Sequence, residues 1–265
     1  MAAIKKYIRD HLPHSVWSRL TKLKHSLLYP WIGKLWVPES YPSMELSLKA
    51  LRGAGFRPQH CIDVGAYQGD WTRLFQSIFP QVSVLMIEAQ ESKREQLTRQ
   101  VAESQGLLQV EIALLAAVDG KEMVFQEMGT GSSVLEEQGP APRTTIKKIS
   151  RTLDSVAASI PGFQPGADFI KLDVQGYELE VLKGASRLLA QCQAVLMEAS
   201  FLPINAGCPL IYEVMTFMDE HRFRLVDFCS LSRRKDGVSW QTDLLFLKKD
   251  SPFLPVPKLD SKNWF

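Results

Sequence analysis

The sequence is poor in the residues that build metal centres and disulfide frameworks. Its 265 residues include four cysteines and five histidines. Cys61, Cys192, Cys208 and Cys229 are far apart, with no C-x-x-C or paired His/Cys spacing, which excludes a zinc ribbon or a disulfide scaffold. Cys61 and Cys229 fall in apolar, strand-like runs, where a thiol behaves as a small hydrophobe, and a reducing, cytoplasmic setting is expected. Long apolar runs are also missing. The most apolar N-terminal piece, residues 27–37, is interrupted by Pro30 and Lys34, is too short to span a bilayer and precedes no small-residue cleavage site. Nor does one sign of charge dominate: the net charge is +2, with 45% hydrophobic and 23% charged residues. These values describe an ordinary globular chain, long enough for one α/β domain and an extension, and no nucleic-acid partner is expected.

The exception to the even charge is residues 1–36, where seven Lys/Arg stand against Asp10 alone, a net +6 that leaves −4 for the remainder. Ile4, Ile8, Leu12, Val16, Leu20, Leu23 and Leu27 recur at helical spacing through this stretch, beside Trp17, Trp31 and Trp36. Such a segment suits either peripheral attachment to an anionic membrane or burial against the main domain or a second subunit as a homodimer contact.

From residue 60 the chain alternates strand and helix. The pattern predicts strands at 60–64, 82–88 and 108–115, with helices at 70–79 and 92–104, the second opened by a Ser92/Glu95 capping box. An irregular β insertion is expected over 117–154, with Gly129–Ser133 as a flexible lip. Alternation resumes with a strand at 167–173 and a helix from Tyr177 divided at Gly184. A strand at 194–198 and a helix over 209–221 with Pro209 in its first turn follow. Strands at 223–229 and 242–248, joined by a polar loop, close the chain as an antiparallel hairpin on a mostly parallel sheet. The expected divisions are an extension at 1–45, a main domain at 46–250 and an extended Pro-rich tail at 251–265.

The richest segment is Cys61-Ile62-Asp63-Val64-Gly65-Ala66-Tyr67-Gln68-Gly69-Asp70-Trp71-Thr72. It reads as strand, glycine turn and helix, a junction that offers bare backbone N–H groups where open α/β sheets bind ligands. A dinucleotide turn needs G-x-G-x-x-G, but here Tyr67 and Asp70 occupy the second and third glycine positions. Asp63 and Asp70 would repel a pyrophosphate and suit a ligand carrying an ammonium and a sulfonium, S-adenosylmethionine. Glu88 ends the next strand about 20 residues later, where a carboxylate accepts ribose hydroxyls. Adenine is expected near Leu115 and Ala116.

With Glu88, Asp173 and Glu198 each closing a strand, the chain resembles the FkbM family of S-adenosylmethionine-dependent methyltransferases. The resemblance rests on Asp63-Val64-Gly65-Ala66 with Gly69 and Thr72, on Thr152-Leu153-Asp154, and on Phe169-Ile170-Lys171-Leu172-Asp173-Val174-Gln175-Gly176-Tyr177-Glu178 continuing to Leu182-Lys183-Gly184-Ala185. Glu198 with Ser200-Phe201, and Thr242-Asp243-Leu244-Leu245-Phe246, complete it over residues 58–248. Tyr67 and Gln175 depart from it, standing where the family usually has asparagine and glutamate. The resemblance implies a Rossmann-like class I methyltransferase sheet, mostly parallel with a C-terminal antiparallel strand, helices on both faces and a β insertion before the fourth core strand. It further implies O-methylation of a hydroxyl on a sugar, glycan or related small molecule. Cofactor contacts are expected from Asp63, Gly65, Ala66, Tyr67, Gly69, Thr72, Glu88, Ala89, Leu115 and Ala116.

Methyl transfer to a hydroxyl gains from a positioned base. Asp173 is the first candidate, and also a candidate helix N-cap; Glu198 either shares the base role, fixes the acceptor or is a structural hydrogen-bond acceptor at that edge. Glu178 suits the helix dipole, and Lys171 either pairs with a carboxylate or is a sheet-edge charge. No D-D or D-N pair or suitably spaced histidine accompanies Asp173, so no metal is expected. The competing readings are a catalytically silent cofactor-binding module partnering a glycan-processing enzyme, and a protein methyltransferase.

Overall fold

The computed structural model describes residues 42–136, 143–164 and 166–255. The amphipathic segment 1–36 and most of the expected tail lie outside these residues. Helix α1 (Met44–Gly53) opens the described chain, with the Ser43 hydroxyl accepting from the Leu46 N–H at its start. It crosses the boundary expected at residue 45 as one piece, burying Leu48 and Leu51.

Strands β1 (His60–Val64), β2 (Ser83–Glu88) and β3 (Leu108–Ile112) alternate with α2 (Asp70–Ile78) and α3 (Arg94–Glu103). After the insertion come α4 (Leu153–Ser159), β7 (Phe169–Leu172), α5 (Glu178–Lys183), α6 (Ser186–Gln191) and β8 (Ala194–Ser200). Helix α7 (Ile211–Glu220) and strands β9 (Phe223–Phe228), β10 (Ser232–Arg233) and β11 (Ser239–Lys248) complete the domain. The main sheet runs β10-β11-β8-β7-β1-β2-β3, with β9 also paired to β11. The run β8-β7-β1-β2-β3 is parallel, and β11 is antiparallel to β8. This is the mostly parallel sheet that the alternation predicted, and the Rossmann-like class I methyltransferase arrangement that the resemblance implied.

Two apolar layers sandwich the sheet because successive residues of each buried strand face opposite sides. Ile62, Ile170, Val195 and Phe246 pack on the side of α4 to α7, while Cys61, Phe169, Leu196 and Leu245 pack with Leu48, Phe75 and Leu97 of α1, α2 and α3. Trp71 stacks on Phe75 with centroids 4.8 Å apart, carrying the second layer towards the carboxyl edge of the sheet. All four cysteines are buried and free. Among the described residues, no helix is long and apolar enough to cross a membrane.

Several boundaries differ from expectation for identifiable reasons. The strand expected at 108–115 divides at Ala113: its second part, β4 (Leu114–Leu115), leaves the main sheet and joins β6 (Thr144–Arg151). With β5 (Glu122–Glu127) these form a three-stranded sheet, so the insertion is more regular than its sequence suggested. The capping box does not form. Ser92 lies in a 3₁₀ turn (Glu91–Lys93) and donates to Glu127, while Glu95 pairs with Arg99. Helix α7 starts two residues after Pro209, because the Leu210 N–H is taken by the Glu213 carboxylate at 2.8 Å and Leu210 bridges to Ser200. Residues 251–255 do not lie extended: Ser251 is buried and the Phe253 ring meets Phe56 edge-on at 5.3 Å.

Candidate active site

The carboxyl ends of β1, β2 and β7, the β4 junction and the turn after β5 enclose a cavity of about 230 Å³. Its wall includes Gly65, Ala66, Tyr67, Glu88, Ala89, Leu115 and Asp173 from the sequence-predicted set. Asp63, Gly69, Thr72, Ala116 and Glu198 are not part of that wall.

Asp63 is fully buried beneath the turn, where it accepts a hydrogen bond from the Thr72 hydroxyl at 2.7 Å. Its other oxygen faces the Lys171 ammonium at 3.2 Å. Lys171 also donates to the Gly65 carbonyl at 3.2 Å and lies 3.5 Å from an Asp173 oxygen. Burial favours neutral Lys171, but the charges of Asp63 and Asp173 outweigh it and raise its pKa. Lys171 is therefore a buried charge at the centre of the site, not a sheet-edge charge.

The turn needs glycine at position 65 for space as well as conformation. Its φ is +74°, and a Cβ there would sit 1.9 Å from the Asp173 carbonyl oxygen. Gly69, at φ +77°, ends the turn and leads into α2. Part of the turn is engaged where its sequence had suggested bare N–H groups. Gly65 and Ala66 both donate to the Ile87 carbonyl, at 2.9 and 3.1 Å, and Tyr67 donates to Glu88 at 2.7 Å. The end of β2 takes up these three N–H groups.

Glu88 is buried, which raises its pKa against the lowering effect of the Gln90 and Tyr67 backbone donors. Its Oε2 accepts from the Tyr67 N–H and its Oε1 from the Gln90 N–H, and a carboxylate oxygen has two lone pairs. Tyr67 stands at φ +48° with the Lys93 ammonium 4.0 Å from its ring centroid. Opposite, the Gly129–Gly131 turn forms the lip, held by Gln90 donating to the Gly129 carbonyl at 3.0 Å.

The second motif supplies the other wall. Asp173 follows the end of β7, with its side chain 39% exposed. It does not cap α5, which begins at Glu178 after Tyr177. The Glu178 carboxylate instead accepts from the Val174 and Gly176 N–H groups at 2.8 and 3.2 Å, clamping the loop between strand and helix. Burial, helped by the nearby Asp173 charge, pushes Glu178 up to about 7. Gln175, at φ +56°, donates to Asp173 at 2.9 Å and to Glu198 at 3.0 Å. Its own carbonyl accepts from Asn205 and Ser133.

Glu198 does not close β8, because pairing with β11 extends that strand to Ser200 and sets Glu198 opposite Asp243. It accepts a further bond from Gln241 at 2.8 Å. Burial, with the charges of Asp173, Glu178 and Asp243, pushes it up to about 10. Among the described residues, no cluster of three or more His, Cys, Asp and Glu is arranged to hold a metal ion.

Sequence reasoning assigned no site role to Trp71, Phe125 or Tyr177, all on the cavity wall, and did not anticipate the Gln175 bridge. The only signal for Gln175 was its departure from the family pattern. Phe125 comes from the insertion, of which local pattern placed only the Gly129–Ser133 lip at the site.

S-adenosylmethionine fits this chemistry. Carboxylates of Asp70, Glu88 and Asp173 line a cavity whose wall also carries Lys171, polar groups such as Gln90 and Ser133, and apolar surface from Ile87, Leu115 and Phe125. Such a site offers anionic groups to an ammonium or sulfonium, buried acceptors to hydroxyls and apolar surface to a base. The close approach of Gly65 to Asp173 brings the two sequence motifs into one wall.

Comparison with known proteins agrees. The family description "Methyltransferase FkbM domain" matches residues 63–225, more than half the chain. No curated protein matches it. Among solved structures, precorrin-6y C5,15-methyltransferase from Geobacter metallireducens GS-15 is 11% identical over 77% of this chain and 86% of that one, with a TM-score of 0.42. Magnesium protoporphyrin IX methyltransferase from Synechocystis PCC 6803 is 12% identical over 77% of each chain, at 0.44. The 1,6-didemethyltoxoflavin-N1-methyltransferase of Burkholderia thailandensis is 11% identical over 90% and 92%, at 0.44. On the family match and the two motifs that meet at Gly65, the chain belongs to the FkbM methyltransferases, with S-adenosylmethionine as its cofactor.

Proposed function

We propose that the protein methylates a hydroxyl oxygen of a sugar, glycan or related small molecule, with Asp173 as the base. The observation that carries this reading is the Asp173 carboxylate at the cavity wall, 39% exposed, with one oxygen fixed by Gln175. A neutral hydroxyl is a weak nucleophile and gains most from a base held within hydrogen-bond reach. The cofactor supplies an electrophilic methyl group on sulfur. The chain's part is to hold the acceptor oxygen in line and to take its proton on Asp173.

Gly65, Ala66, Tyr67, Ala89 and Leu115 contact the cofactor in this reading, and the remaining lone pairs of Glu88 accept from its ribose. Asp63, Gly69 and Thr72 shape the turn without touching the cofactor, and Ala116 belongs to the apolar cluster with Leu114, Met123 and Phe125.

Asp173→Asn tests the assignment. Turnover should fall by about 10²-fold or more, as for loss of a positioned base, while calorimetric affinity for S-adenosylhomocysteine stays near that of the wild type. Unchanged turnover would remove Asp173 from the chemistry. Incubating cell extract with labelled cofactor, followed by mass spectrometry of the products, identifies the acceptor. Label confined to protein would replace the glycan reading with a protein methyltransferase.

A further inference from the structure

The second wall of the site concentrates negative charge beside a single engaged cation, Lys171. β7 is parallel to β8 and β11 is antiparallel to it, and the registers pair Leu172 with Met197 and Glu198 with Asp243. Strand alternation then turns Asp173, Glu198 and Asp243 to the same face of the sheet, side by side at one level. Glu178 faces them from α5, and Lys171 lies one level below, engaged with Asp63 and Asp173. Among the described residues, no basic nitrogen lies within 4.0 Å of Glu198 or Asp243.

Two side-chain amides close the row. Gln175 spends its N–H bonds on Asp173 and Glu198, and Gln241 adds a second bond to the same Glu198 oxygen, Oε2. Carboxylates so close in a dry environment do not all ionise, and one of them keeps a proton. Oε2 already accepts from both amides, so a proton held by Glu198 sits on Oε1 and leaves Oε2 as the carbonyl acceptor.

We propose that Glu198 acts as a neutral carboxylic acid that positions Asp173 through Gln175, rather than as a second base. It accepts from Gln175 without adding another charge beside Asp173, and so fixes the amide that fixes the base. The strong upward displacement of Glu198 by burial and by Asp173, Glu178 and Asp243 agrees with this. The inference rests on the reading of Asp173 as the base, and its test separates the two.

Carbon-13 spectra of protein labelled at the glutamate δ-carboxyl should retain a protonated signal at about pH 8.5, where an ordinary carboxyl is fully ionised. That signal should vanish in Glu198→Gln and persist in Glu178→Gln. Wild-type spectra with every glutamate ionised at that pH would overturn the proposal whether or not the variants fold. So would a protonated signal that survives in folded Glu198→Gln.

Turnover gives the second readout. Glutamine matches a neutral acid in shape and still accepts from Gln175 and Gln241, whereas alanine removes the acceptor that the two amides share and leaves Gln175 only its bond to Asp173. Glu198→Gln should therefore turn over at least about tenfold faster than Glu198→Ala. A glutamine variant as slow as the alanine one would show that a carboxylate is needed at 198, and would overturn the positioning role. If instead Asp173→Asn keeps full turnover while the protonated glutamate signal is present, the base assignment fails and the state of Glu198 stands.

Discussion

The two halves of the cavity treat buried charge in opposite ways. On the turn side, Asp63 is fully buried yet faces Lys171 and accepts from Thr72, and the N–H groups of Gly65, Ala66 and Tyr67 are taken up by β2. On the other side, Asp173, Glu178, Glu198 and Asp243 crowd together, and Lys171 beneath Asp173 is their nearest cation. The first half resolves its electrostatics locally and can serve as a rigid seat. The second retains unresolved repulsion, which adds to burial in raising the pKa values of Glu178, Glu198 and Asp243. Unfavourable interactions of this kind persist where a protein does chemistry rather than where it only holds itself together.

If this contrast is right, removing charge should have opposite consequences in the two halves. The largest effect is expected at Lys171. Lys171→Met would leave Asp63 as a buried charge without its partner, and breaking such a pair costs about 3–5 kcal/mol. Urea denaturation at neutral pH measures it. A loss below about 1 kcal/mol, typical of an exposed pair, would mean that the turn side does not depend on its buried cation.

The opposite sign is expected at Glu178. Its folded-state pKa of about 7 lies above the unfolded reference of 4.5, so the folded protein binds the extra proton between those values. Stability from this group is complete below the unfolded pKa and is lost as pH rises through the folded one. The displacement corresponds to about 3 kcal/mol. Glu178→Gln keeps an acceptor for the Val174 and Gly176 N–H groups and removes the ionisation. Denaturation at both ends of that window should show the variant gaining on the wild type by about 3 kcal/mol as pH rises. Parallel pH dependence in the two proteins would show that the acidic row is not strained.

These two halves were unequally legible in the sequence. The strands were readable because buried parallel strands are short continuous apolar runs, as in Val84 to Ile87 and Ala194 to Met197. Gly65 and Glu88 were readable because turn conformation and strand-end position are local properties. Partnership across the sheet was not. Nothing near Glu198 indicates that β11 carries β8 on to Ser200, and nothing near Ala113 indicates that the chain changes sheets there. The inward aim of the turn N–H groups depends on Ile87 and Glu88 arriving beside them, and the Gln175 bridge depends on three separate segments. Ser92 illustrates a local signal overridden from afar, since Glu127 of the insertion claims its hydroxyl.

The smallest effect is expected within the well-paired half itself, at the mouth of the same cavity. Asp70 and Arg73 form an ion pair one turn apart on α2, but their side chains are 74% and 51% exposed. Water already solvates both ends, so the Coulomb gain is small and is offset by ordering two flexible side chains. Arg73→Gln removes that pair while leaving Asp70 in the first turn, where it still favours the helix dipole. The change in stability should stay within about 0.5 kcal/mol, the range of helical surface pairs. Added salt should shift wild type and variant together. Lys171 and Arg73 thus belong to the same half of the site and both pair with an aspartate, yet burial separates their expected costs several-fold. Should Arg73→Gln prove as damaging as Lys171→Met in the same urea titration, dryness would not be what distinguishes these pairs, and the account of the turn side as a seat held by buried charge would fail.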